Sequence, residues 1–118
     1  MSTVMIVDDS KTSRSMLRNI LEEHGYEVVA EAENGQEGYE KYRELRPDFV
    51  TLDITMPIMD GIETLIKIKE YDTDAKVIMV TAAGQKGKML DAIKLGAAEF
   101  VTKPFETNQI ISIIESIK

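Results

Sequence analysis

Residues 4–9 are Val-Met-Ile-Val-Asp-Asp, a short apolar run that leads directly into two adjacent carboxylates. Runs of this length are typical of strands buried inside a parallel sheet. Three further runs of this kind, at residues 49–52, 77–80 and 100–102, each precede a polar or charged side chain. These three residues are Asp53, Thr81 and Lys103. The pattern predicts four buried strands with polar groups at their carboxyl ends.

Helix-like segments alternate with these strands along the chain. A weaker strand is expected at Glu27–Ala32, and five amphipathic segments indicate five helices. The helices comprise Lys11–Glu23, a segment from Asn34-Gly35 to Arg46-Pro47, one through Ile62 to about Tyr71, Lys86–Leu95, and a last one around Ile110, Ile114 and Ile117.

This alternation predicts an α/β protein with a (βα)₅ doubly wound, flavodoxin-like fold in a single domain over residues 1–118. Right-handed crossovers with helices on both faces favour a five-stranded parallel sheet in the order 2-1-3-4-5. The order in which strands are added to such a sheet reverses between strands one and three, and these folds bind ligands at that switch point. Asp8, Asp9 and Asp53 lie at the ends of those two strands.

The polar strand ends should therefore meet in one crevice, and Thr81 and Lys103 should join the three aspartates there. Carboxylates are the ligands that a hard divalent cation prefers, while a hydroxyl and an ammonium suit the oxygens of a phosphoryl group. Each residue alone also has a plain explanation. Asp8 and Asp9 could be turn and N-cap residues, Thr81 an ordinary strand residue and Lys103 a surface charge. The complete set favours a phosphoryl and metal site.

The composition excludes several classes of protein. The 118 residues include 14 basic and 21 acidic side chains, a formal charge of −7 that disfavours nucleic acid as a direct partner. The chain has no cysteine, so disulfide, thiolate and iron-sulfur chemistry are excluded. No apolar run approaches a membrane span, and we expect a soluble, cytoplasmic monomer.

In these motifs the chain resembles the response-regulator receiver domains of the CheY-like kind. The resemblance rests on Asp8-Asp9, on Asp53-Ile-Thr-Met-Pro57 followed by Asp60-Gly61, on Thr81-Ala82 and on Lys103-Pro104-Phe105. The order, spacing and strand context of these motifs agree over nearly the whole chain. No one of them would be specific alone.

The resemblance implies a phosphoacceptor signalling protein that catalyses only its own phosphorylation and dephosphorylation. Asp53 would accept a phosphoryl group from a histidine kinase, and Mg²⁺ would be the cofactor. Asp9 and Asp53 would bind the metal directly, together with the main-chain carbonyl of Thr55, and Asp8 would hold a metal-bound water. Lys103 would pair with Asp53 and then with the phosphoryl group.

The resemblance also implies a conformational switch at Thr81 and Phe100. Thr81 would donate its hydroxyl to the phosphoryl group, and Phe100 would change rotamer, although a simple core phenylalanine is an equal alternative. Thr55 and Ala83 would flank the approach of the hydrolytic water. Neither side chain orients water well, so we expect slow self-dephosphorylation.

The partners follow from the same resemblance. They are a CheA-like histidine kinase, a motor switch or adaptor protein and a separate phosphatase, in chemotaxis signalling to a flagellar or archaellar motor. A phosphorelay intermediate and a receiver fragment of a larger regulator remain alternatives.

Two other classes fit less well. A haloacid-dehalogenase-like phosphatase would need a second aspartate at Thr55, and a flavodoxin-like electron carrier would need a phosphate loop where Asp8-Asp9 stands.

Several other residues have structural expectations. The methionines at positions 5, 16 and 79 are expected in the core, and His24 is expected to stabilise the end of the first helix. Pro104 is cis in the family that the chain resembles, whereas trans is the default from sequence alone. Ile111 lies near the edge of the last helix's apolar stripe and is a candidate exposed contact.

Overall fold

The computed structural model describes residues 2–82 and 84–117, and in these residues five strands alternate with five helices. The strands are β1 (Thr3–Val7), β2 (Glu27–Ala32), β3 (Phe49–Asp53), β4 (Val77–Ala82) and β5 (Glu99–Lys103). The helices are α1 (Lys11–Glu23), α2 (Gly35–Leu45), α3 (Gly61–Tyr71), α4 (Lys86–Lys94) and α5 (Thr107–Ile117). Among the described helices, none combines the length and the apolar character needed to cross a membrane.

The five strands form one parallel sheet in the order β2-β1-β3-β4-β5. The predicted order 2-1-3-4-5 is therefore confirmed. Val7 of β1 lies opposite Leu52 of β3. The next residues along these strands are Asp8 and Asp53, so the register places the two aspartates side by side at the carboxyl edge.

Side chains that alternate along the strands build two separate cores, one on each face of the sheet. Val4 and Ile6 point to the face covered by α1 and α5, where they pack with Leu17. Met5 and Val7 point to the opposite face, which α2, α3 and α4 cover. This two-residue alternation is the geometry of an extended strand, and it explains why the strands are apolar on both faces.

Capping residues fix where three helices begin. Ser10, Asn34 and Asp60 each accept a hydrogen bond from the main-chain N–H three residues later, at 3.2, 2.9 and 2.9 Å respectively. These bonds satisfy amides that have no partner inside the first helical turn. The cap at Ser10 agrees with the prediction. Glycines at positive φ, Gly25 and Gly96, follow α1 and α4.

Three local expectations need correction or completion. Met16 is 51% exposed and is not a core residue, because the buried stripe of α1 passes through Arg14, Leu17 and Leu21. Helix α4 ends at Lys94, one residue before the predicted end. The Lys103–Pro104 peptide bond is cis, in agreement with the resemblance and against the default.

His24 has the structural role that its position predicts. It is the C-cap residue of α1, and its Nδ1 lies 2.8 Å from the carbonyl oxygen of Ile20. That carbonyl belongs to the last helical turn, where main-chain oxygens lack partners inside the helix.

Gly61 allows α3 to start directly against the backbone of β3. Its N–H donates to the carbonyl oxygen of Ile54 at 2.7 Å. A Cβ added at this position would lie 2.1 Å from the main-chain oxygen of Asp53. Because backbone atoms cannot yield as a flexible side chain can, only glycine fits here without moving the end of β3.

Replacing Gly61 with alanine should therefore lower the free energy of unfolding by roughly 3 kcal/mol, the upper part of the usual range for overpacking. Gly87→Ala is the matched control, because a Cβ there meets nothing within 4 Å and alanine favours helix α4 by about 0.5–1 kcal/mol. Urea unfolding of both variants measures the difference. Equal stability of the two variants would show that α3 can shift at no cost.

Candidate functional site

Asp8 is held in place by its own loop. The residue is 1% exposed, and its Oδ1 accepts the main-chain N–H of Ser10 at 2.9 Å. The guanidinium of Arg14 donates to the main-chain oxygen of Asp8 at 2.7 Å. A buried carboxylate with these partners keeps one orientation, which directs its second oxygen, Oδ2, to Lys103.

Arg14 is a site-supporting residue that the sequence prediction missed. Although charged, it is 8% exposed, and its Nε lies 3.1 Å from Oε1 of Glu31 on β2. Its position three residues before Leu17 places it on the buried stripe of α1. Helical spacing was therefore the signal that could have indicated its burial. A buried arginine needs hydrogen-bonding partners, which makes a supporting role at the site a reasonable prediction.

Asp53 and Lys103 complete a bridge across the crevice. Asp53 is 8% exposed, and its Oδ1 accepts the N–H of Ile54 at 2.8 Å. The ammonium of Lys103 lies 2.9 Å from Oδ2 of Asp8 and 3.5 Å from Oδ2 of Asp53. Lys103 thus contacts both carboxylates and lies closer to Asp8, whereas the sequence favoured Asp53 as its partner.

The three aspartates form a group that suits a metal ion. Asp8, Asp9 and Asp53 each offer a carboxylate oxygen, and these oxygens lie within 4.8 Å of one another. Asp9 is exposed, while the other two are buried. Oxygen ligands at this spacing match a hard cation such as Mg²⁺, which also keeps several waters. A contribution from the main-chain carbonyl of Thr55 remains a prediction.

The charges of the crevice are not balanced by Lys103 alone. Burial raises the pKa of Asp53 to about 6, and the negative charge of Asp8 adds to this effect while Lys103 opposes it. Burial also disfavours the charged form of Lys103, but its hydrogen bond to Asp8 and the charges of both carboxylates outweigh this, so its pKa is raised. The ammonium therefore stays charged, and a second cation would relieve the remaining repulsion.

Thr81 lies at the end of β4 and is fully buried. Its hydroxyl donates to Oε1 of Gln85 at 2.6 Å. The carboxamide N–H of Gln85 in turn donates to the hydroxyl of Thr55. Gln85 was not predicted as a site residue, because nothing in the sequence of a loop indicates which way its side chain turns.

Three further predicted residues lie outside the crevice or outside the described part of the chain. Phe100 is 36% exposed on β5, so the alternative of a simple core phenylalanine is wrong, while its switch role stays a prediction. Ile111 is half-buried against the core of the α1 and α5 face and is not an exposed contact. Ala83 is not among the described residues.

Comparison with known proteins places this arrangement among signalling domains. Residues 4–115 match the family model of the response regulator receiver domain. The chemotaxis protein CheY of Listeria monocytogenes is 51% identical over 115 residues, which cover 98% of this chain and 97% of that protein. The chemotaxis protein CheY of Bacillus subtilis is 50% identical over 111 residues, which cover 94% and 92% respectively.

A solved structure has nearly the same fold. A chain of the CheX–CheY–BeF₃–Mg²⁺ complex from Borrelia burgdorferi superposes with a TM-score of 0.95 at 37% identity. The match covers 98% of this chain and 88% of that chain.

Replacing Asp53 with asparagine should stabilise the metal-free protein at neutral pH. In EDTA at pH 7.5 we expect the free energy of unfolding to rise, by on the order of 2 kcal/mol. The cause is that the variant removes a buried charge whose pKa of about 6 lies above the unfolded value of roughly 3.9. At a pH between these two pKa values, the folded wild type binds more protons than the unfolded chain. Its free energy of unfolding therefore falls as the pH rises through this range.

The additional stability of Asp53→Asn over wild type should therefore disappear as the pH is lowered to about 4. Urea unfolding of both proteins between pH 4 and 8 measures it. Asp91→Asn, which changes an exposed aspartate on α4, is the control and should show no such pH dependence. A variant less stable than wild type at pH 7.5 would show instead that Asp53 is a satisfied structural group.

Proposed function

The chain belongs to the response regulator receiver family, and we propose that it is a chemotaxis response regulator that accepts a phosphoryl group on Asp53. The observation that carries this proposal is the convergence of Asp53 with Lys103 and two further aspartates at the carboxyl edge of the sheet. The chemotaxis role is supported by the curated relatives, which match nearly the full length of this chain.

Transfer to Asp53 would break a bond between phosphorus and a histidine nitrogen of the kinase and form a bond between phosphorus and a carboxylate oxygen. The attacking carboxylate and the phosphoryl group are both anions, so cations must offset their repulsion. The ammonium of Lys103 lies 3.5 Å from Oδ2 of Asp53, close enough to contact an oxygen of a phosphoryl group attached there. The Ile54 N–H fixes the orientation of the carboxylate through Oδ1.

Mg²⁺ is part of the proposal. Asp8, Asp9 and Asp53 would hold it, together with the main-chain carbonyl of Thr55. When bound, it supplies positive charge next to the reacting carboxylate. Burial is the larger cause of the raised pKa of Asp53, and the negative charge of Asp8 adds to it. A cation in the crevice would offset that repulsion, which supports this assignment. The Borrelia complex contains both Mg²⁺ and BeF₃.

The surface that reports phosphorylation is proposed to be the face of α4, β5 and α5. An open groove of about 510 Å³ lies there, lined by residues 100–102 of β5 and by side chains of α5. Leu90 and Ile93 of α4 are exposed, at 57% and 40%. Exposed apolar side chains suit a protein partner, which we propose to be a motor switch or adaptor protein.

Signal input and termination complete the proposal. The phosphoryl donor would be a CheA-like histidine kinase, and the protein would act on no substrate other than its own phosphoryl group. The hydroxyl of Thr55 is engaged by Gln85, which supports slow self-dephosphorylation and a need for a separate phosphatase. The single domain over residues 1–118, the monomeric state and a cytoplasmic location remain parts of the proposal.

The phosphoacceptor assignment can be tested without a kinase. With acetyl phosphate and Mg²⁺, mass spectrometry of the intact protein should show one added phosphoryl group, because Lys103 and the Mg²⁺ bound in the crevice would supply the positive charge that the reaction needs. The adduct should be absent in Asp53→Asn and in samples with EDTA. Asp91→Asn, an exposed aspartate on α4, should react like wild type. An adduct that persists in Asp53→Asn would place the phosphoacceptor elsewhere.

A further inference from the structure

The side chain of Gln85 connects the end of β4 to the loop that follows β3. Gln85 is the N-cap residue of α4, yet its side chain makes no capping hydrogen bond to that helix. Its carboxamide instead accepts from Thr81 at the end of β4 and donates to Thr55, two residues after Asp53. A long, flexible side chain loses rotamer freedom when it is held in this way, so the bridge must be stabilised by both contacts.

The bond between Thr81 and Gln85 uses the only proton that the threonine hydroxyl can donate. Thr81 is fully buried, so a hydroxyl without an acceptor there would be costly. The distance of 2.6 Å to Gln85 is much shorter than the 3.3 Å to the carbonyl oxygen of Ala82. Gln85 is therefore the principal acceptor of this proton in the unphosphorylated protein.

We propose that Gln85 is a positioning residue that holds the hydroxyl of Thr81 away from Asp53 until a phosphoryl group competes for it. This inference rests on the proposed function, in which Thr81 binds a phosphoryl oxygen. Binding of the phosphoryl group then requires the Thr81–Gln85 bond to break. The strength of that bond sets how strongly the unphosphorylated arrangement resists activation.

Breakage of the Thr81–Gln85 bond would also affect the start of α4. The main-chain oxygen of Gln85 accepts the N–H of Met89 in the first turn of that helix, at 3.1 Å. Met89 is buried in the core of the α2, α3 and α4 face. Release of the Gln85 side chain therefore removes two contacts of the N-cap residue of α4. Helix α4 carries exposed apolar side chains of the proposed output face.

Beryllofluoride, a mimic of the phosphoryl group, provides the test. Its dissociation constant in the presence of Mg²⁺ is measured by calorimetry for wild type and for Gln85→Met, which keeps the side-chain length and removes the hydrogen bonds. We expect binding to Gln85→Met to be about 2- to 10-fold tighter, the effect of one competing hydrogen bond. Gln36→Met, the same substitution at an exposed site on α2, should bind as wild type does.

Two further variants distinguish positioning from a general structural role. In a Thr81→Val background, the Gln85→Met substitution should change the affinity no further, because the competing proton is absent. Thr55 is exposed, and Thr55→Val removes one of the two hydrogen bonds that hold the Gln85 side chain. This variant should therefore tighten beryllofluoride binding by a smaller factor than Gln85→Met does. Equal tightening by Gln85→Met with and without the Thr81 hydroxyl would overturn the proposal.

The remaining outcomes separate this inference from the proposed function. Unchanged or weaker binding in Gln85→Met, with wild-type binding that depends on Asp53, would overturn the inference alone. If wild type does not bind beryllofluoride in Mg²⁺, the proposed function fails and the inference fails with it.

Discussion

Two buried carboxylates that share one ammonium are the interaction on which this structure depends. Asp8 and Asp53 lie side by side because β1 and β3 are neighbours in the sheet, and Lys103 contacts both. Burial strengthens the repulsion between the aspartates, since the interior screens charge less than water does. With Asp9 at the rim, the crevice carries three carboxylates against one ammonium, and the proposed metal and phosphoryl chemistry follow from this imbalance.

The surrounding backbone keeps the repelling groups together. The N–H groups of Ser10 and Ile54 each hold one oxygen of an aspartate, and Arg14 holds the backbone at Asp8. Gly61 brings the start of α3 against the carbonyl of Asp53, where no larger residue fits. Because these contacts come from main-chain atoms and a buried arginine, the carboxylates cannot move apart to relieve their repulsion. The structure thus trades stability for a site prepared to receive cations.

Strand ends were predictable from the sequence, and side chains in loops were not. The apolar runs end at Asp8, Asp53, Thr81 and Lys103, and parallel strands in the order 2-1-3-4-5 bring those ends to one edge. Periodicity and strand order are enough to place these residues together. The direction of the Gln85 side chain depends on three-dimensional contacts with Thr81 and Thr55, which no local pattern encodes.

The error at Met16 has a related cause. Apolar character alone suggested burial, but the stripe of α1 that faces the sheet contains Arg14 in its place. An arginine can occupy a buried position when it has partners, and those partners, the backbone at Asp8 and Glu31, come from other elements. The helix sequence by itself could not show that they were there.

The dependence of stability on Mg²⁺ tests the charge imbalance most directly. The free energy of unfolding should rise with Mg²⁺ at constant ionic strength, by about 1.4 kcal/mol for each tenfold increase above the dissociation constant, as expected for one site. Asp9→Ala should lose most of this rise, while Asp91→Asn on α4 should keep it. A wild-type protein that Mg²⁺ stabilises no more than sodium chloride does, or an undiminished rise in Asp9→Ala, would contradict the account.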